Sequence, residues 1–147
     1  MIGRAVAASV FVVTLLAGCA GPSFSHRDYE RKAAHTAEEA NAVVQTALLT
    51  VQAAGKRRAP RQFLDVLLTD AESTLADIQA SFEGVQPPEP DADQLRSDLG
   101  DLLSRAGDVL STLRIEVRRG RLGALPETAG PLTGLHDKLE AFAEEHR

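Results

Sequence analysis

Residues 61–85 read RQFLDVLLTDAESTLADIQASFEGV, and the spacing of their apolar side chains decides the fold. Leu64, Leu68, Ala71, Leu75, Ile78, Phe82 and Val85 follow one another in alternating steps of four and three. On an α-helix such steps return to one face, whereas on a strand they would scatter over both. Pro60, whose fixed φ suits the first helical turn, opens the segment, and Gly84 closes it. The stretch therefore predicts a helix with one apolar stripe.

The same rhythm extends in both directions. Upstream, Ala33, Ala37, Ala40, Val44, Ala47, Val51 and Ala54 make a seam of small side chains, and Ser25 with Asp28 three residues on predicts a capping box at its start. Downstream, Leu95, Leu99, Leu102, Ala106, Val109 and Leu113 predict a third helix, with Asp91 as N-cap and Gln94 behind it. Leu132, Leu135, Leu139 and Phe142 predict a shorter fourth helix beginning at Pro131. Connections fall at 55–60, 84–90 and 120–131, where Gly and Pro gather. Short links between amphipathic helices favour antiparallel neighbours. The expected fold is thus all-α, an up-down antiparallel bundle of three long helices and one short C-terminal helix. Its alanine seam, with Gly100 and Gly107 one heptad apart, is expected to let backbones approach closely. The same Gly and Pro breaks argue against a continuous intermolecular coiled coil.

The first residues have a different character. Arg4 precedes an apolar run from Ala5 to Leu16, which at about 12 residues is short of the roughly 20 that span a bilayer. Leu16-Ala17-Gly18-Cys19 follows, and Cys19 is the one cysteine of the chain. These four residues resemble the lipobox of bacterial lipoproteins. The resemblance implies diacylglyceryl transfer to the Cys19 thiol, cleavage before it, and a membrane-anchored protein on the extracytoplasmic face, with the outer membrane open to it where one exists. The expected organisation is a signal peptide over 1–18, a lipidated cysteine and short tether over 19–24, and a helical bundle over 25–147. A lone cysteine leaves no disulfide.

Charge and residue types narrow the chemistry. The formal net charge of −5 argues against nucleic acid as a partner. No Glu has a His three positions later, as a di-iron bundle would require. Haem attachment through C-x-x-C-H needs a second cysteine. The histidines at 26, 35, 136 and 146 are separated along the chain, although His26 and His146 could meet at one end of an up-down bundle. Leu125-Pro-Glu-Thr-Ala-Gly130 is similar to a sortase recognition sequence but departs from it at Ala129, and no apolar span follows. Its expected role is a loop before the last helix. No enzyme, metal site or cofactor is expected.

Two basic clusters remain, Lys56, Arg57, Arg58 and Arg61 in the first connection, and Arg114, Arg118, Arg119 and Arg121 where the third helix ends. Cations at helix C-termini complement the macrodipole. An up-down topology also puts both clusters at one end, far from Cys19, with Glu89, Asp91, Asp93, Glu144 and Glu145 at the other. The expected function is a non-enzymatic binding, accessory or structural envelope lipoprotein whose basic, membrane-distal tip meets an acidic protein or an anionic envelope polymer. The alternative is a chaperone-like or carrier bundle that holds apolar ligands or unfolded chains in an open groove.

Overall fold

A computed structural model describes residues 25–56 and 58–147. Cys19, the proposed signal segment and Arg57 lie outside the described residues. The chain forms α1 (His26–Gly55), α2 (Arg61–Glu83) and α3 (Ala92–Arg118), then a 3-10 turn (Leu122–Ala124), a one-turn helix α4 (Leu125–Thr128) and α5 (Gly130–Glu145). Among the described residues there is no strand, and no helix is long and apolar enough to cross a membrane. The fold is an up-down bundle of three long helices closed by a bent C-terminal one.

Most positions of the stripes read from the sequence form the core, although Ile78 and Val85 of the second stripe are only partly buried. All seven positions of the α1 seam are buried, as are Leu64, Leu68, Ala71, Leu75 and Phe82 of α2 and the four apolar positions of α5. Each helix packs on its chain neighbour, and α5 returns to α1. The ring is not square. α1 also meets α3 across the diagonal, while α2 and α5 do not touch. Alanines on α1 and Ala106 on α3, all fully buried or nearly so, leave room for that approach.

Several expectations need correction. Gly100 and Gly107 do not mediate close packing: a Cβ on Gly100 would meet nothing within 4 Å, and one on Gly107 would meet only Leu75 Cδ2 at 4.0 Å. In α3 the buried positions are Leu103 and Leu110, with Leu102 and Val109 partly buried beside them. That helix has neighbours on three sides, so its apolar stripe is wider than a heptad seam. Asp91 does not cap: its backbone is already helical, its side chain makes no cap hydrogen bond, and Gln94 turns forward to Asp98 at 2.8 Å. The segment 125–130 is helical rather than a loop, with Leu125 and Ala129 buried.

The Ser25–Asp28 capping box is present in full. Hydrogen bonding from Ser25, then Arg31, holds the Asp28 carboxyl below the ordinary carboxylate range. Arg147 does the same to Glu38, and Arg121 to Glu116. A carboxylate whose folded-state pKa is depressed stabilises the fold above its unfolded value, and that contribution disappears as pH falls through the depressed one. The thermal midpoint is therefore expected to be flat from neutrality to about pH 4.5 and to fall below it, because unperturbed Asp and Glu titrate near 4. A midpoint unchanged at pH 3 would contradict these assignments. Asp28 and Glu38 are exposed and only Glu116 is largely covered, so the decline should be shallow.

Candidate functional site

The basic end is built from the close of α1, the start of α2 and the close of α3. Lys56 ends α1, its backbone N–H donating to the Gln52 carbonyl at 3.1 Å, and Arg58 N–H donates back to Ala53 at 3.0 Å. Pro60 then starts α2 and sets Arg61 in its first turn. At the end of α3, Gly120 adopts φ 72°, a left-handed conformation that suits glycine. Gly120 N–H donates to Val117 at 3.0 Å and Arg121 N–H to Glu116 at 2.9 Å, the two reverse bonds of a Schellman motif. This turn folds the Arg121 guanidinium back onto the Glu116 carboxylate.

The two basic clusters come together as the topology predicts. Arg61 Nη1 donates to the Arg118 carbonyl at 3.4 Å and thereby caps an otherwise unpaired α3 C-terminal acceptor. Several arginines are nevertheless occupied within the chain. Arg114 pairs with Glu72 between α3 and α2, and hydrogen bonding to Glu72 raises the Arg114 pKa further. Arg118 pairs with Asp65 at 2.9 Å one turn along. Arg114 and Arg118 thus stitch α2 to α3. Among the described residues no ion pair engages Lys56, Arg58 or Arg119, all of which are exposed.

The sequence reading missed these acidic partners. Asp65 and Glu72 sit one heptad apart on the flank of α2, and Arg114 and Arg118 one turn apart on α3, a match that an antiparallel alignment of the two helices reveals. At the other end of this pair Arg96 donates to the Glu83 carbonyl at 2.7 Å, close to Glu89, Asp91 and Asp93 in sequence.

The expected acidic end is smaller than the sequence suggests. Arg147 reaches Glu38 at 2.8 Å, so α5 stops near Glu38, about three turns or ~16 Å short of the start of α1. Glu144 faces Glu38 and Asn41, and Glu145 faces Asp98 and Asp101, along the side of the rod. The same shortfall separates His146 from His26. His146 packs on the Phe142 ring at 4.5 Å, His26 lies beside Glu30 at 3.4 Å, His35 beside Glu38 and Glu39, and His136 bonds Asn41. Among the described residues no three His, Cys, Asp or Glu side chains are grouped to hold a metal.

The interior is filled rather than open. Tyr29 and Phe82 are fully buried at one end, their rings 5.7 Å apart, and fully buried leucines continue through Leu68, Leu103 and Leu110 to Leu125 at the other. The Tyr29 hydroxyl is buried without a hydrogen-bond partner, and burial raises its pKa. The depressions between helices are surface features, such as one of about 220 Å³ between α1 and α2 lined by Val43, Thr46, Leu67 and Ala71. No protein-family model, curated protein or solved structure matches the chain.

Proposed function

We propose that this chain is a lipid-anchored extracytoplasmic protein, held by acylated Cys19, that docks an anionic partner through its basic end. The observation that carries the docking reading is the Arg61–Arg118 contact, which joins two basic connections into one surface while Arg58 and Arg119 stay unpaired. Cations already tied to Asp65, Glu72 and Glu116 contribute a screened background, whereas unpaired ones can meet a partner's carboxylates or phosphates without first breaking a bond. A short tether over 19–24 keeps the domain close to the bilayer and leaves this end outermost. The carrier alternative needs an apolar interior open to ligand, and the filled leucine core favours docking over it.

Charge reversal tests the surface. Arg58→Glu and Arg119→Glu together are expected to abolish crosslinking to the partner in the native envelope. The thermal midpoint should move by only a few degrees, since exposed unpaired charges contribute little to folding. Wild-type crosslinking should fall as salt rises, because screening acts within about 10 Å at 0.1 M. Reversing Glu89, Asp91 and Asp93 to Lys should leave the partner in place. Retention by the arginine variant, or equal loss in the acidic control, would return these residues to helix capping.

A further inference from the structure

The sixteen residues 40–55 contain no charged side chain, although the second half of α1 presents a full outer face to solvent. A helix crest facing only water ordinarily carries charge, and depletion of charge marks the centres of protein interfaces. The crest runs Glu38, Ala42, Gln45, Leu49, Gln52 and Lys56, in steps of four and three, and each of these residues is exposed. Leu49 is 63% exposed, and on the adjoining part of α2 Phe63 is 54% and Val66 63% exposed. Those three are the most exposed large apolar side chains among the described residues, and they fall on neighbouring helices.

We propose that the crest of α1, with the adjoining flank of α2, is the contact between two copies of this chain packed antiparallel about a two-fold axis. The charge pattern selects this occupant. The crest begins acidic at Glu38, an exposed carboxylate that also bonds Arg147 of its own chain, and ends basic at Lys56, with uncharged residues between. Reversing one copy about the midpoint sets Glu38 of each chain against Lys56 of the other, Ala42 against Gln52, and Gln45 against Leu49. A parallel pairing would set Glu38 against Glu38 and Lys56 against Lys56. Only the antiparallel register is self-complementary, as a two-fold interface requires.

The contact is weak by size. A crest about 27 Å long and two helices wide, at ~10 Å each, covers roughly 500 Å² per copy. Stable dimers bury about 800 Å² per partner, so a micromolar, concentration-dependent pair is expected. The inference uses only residues 38–66 and does not rest on the docking reading. Arg118, at the end of α3, and Arg119 and Arg121 beyond it are not among those residues; Lys56 belongs to both surfaces.

Sedimentation velocity of the full chain in density-matched nonionic detergent, from low micromolar to near-millimolar protein, tests the proposal. Wild type is expected to pass from monomer to dimer across that range. Leu49→Glu, an exposed change that leaves helicity intact by circular dichroism, should raise the midpoint concentration by about tenfold or more. Glu38→Lys and Lys56→Glu should each raise it several-fold, and the double variant Glu38→Lys/Lys56→Glu should return it to the wild-type value. A wild-type monomer throughout, a dimer indifferent to Leu49→Glu, or a double variant no tighter than the single ones would each overturn the proposal.

Discussion

Truncating Leu103 to alanine is expected to cost the bundle about 2–5 kcal/mol, the range for removing a large side chain from a packed core. Leu103 is fully buried in the middle of α3, where neither solvent nor a flexible loop can fill the space it leaves. Domains of this size are stable by about 5–15 kcal/mol, and the loss would lower the thermal midpoint by about 8–20 °C. Leu102, its chain neighbour, lines a surface depression beside Phe142 and Lys138 and is only partly buried. Truncating it should cost less than half as much, since part of its surface is already in water. Thermal unfolding of the two variants side by side is decisive about register. If Leu102→Ala were the more damaging, α3 would be rotated by one residue from the packing described, and the Arg114–Glu72 and Arg118–Asp65 pairs would move with it.

That comparison also marks how far the sequence could be read. In α1 all seven positions of the seam from Ala33 to Ala54 were legible from their spacing, but Tyr29, Thr36 and Thr50 are buried too, and the heptad steps pass over them. In α3 the run Asp101-Leu-Leu-Ser104 offers two adjacent leucines, and a heptad template picks the wrong one. An ideal helix drifts by about 20° per heptad, and here α1, α2 and α5 all draw apolar surface from it, so strict heptad spacing loses the face. The Ser25 cap was legible because its partners are three residues apart; the end of α5 was not, because a helix length does not say what level of the bundle it reaches. The same limit governs the candidate site. That arginines collect at one end followed from topology alone. Which of them are unpaired depends on carboxylates on a different helix, 42 residues away in the case of Arg114 and Glu72.

Cys19→Ala is expected to have an all-or-none effect under the proposed anchoring, on the covalent state of the chain rather than its fold. The acyl acceptor must be a nucleophilic sulfur, and Cys19 is the one thiol the sequence contains, so no other residue can take over. Membrane fractionation alone would mislead. A precursor that keeps residues 1–18 retains the apolar run from Ala5 to Leu16 and can stay with the bilayer by that route. Mass spectrometry separates the two states: wild type should begin at Cys19 and carry the mass of its acyl chains, whereas the variant should begin at Met1 or shortly after it with no added lipid. More than one chain is expected on the wild type, because a single one binds membranes only reversibly, with an association constant of about 10⁴ M⁻¹. A wild-type protein that is cleaved elsewhere, or that carries a free Cys19 thiol, would overturn the anchor. The bundle from Ser25 onward would still fold, since the buried stripes from Tyr29 to Ala143 supply its core.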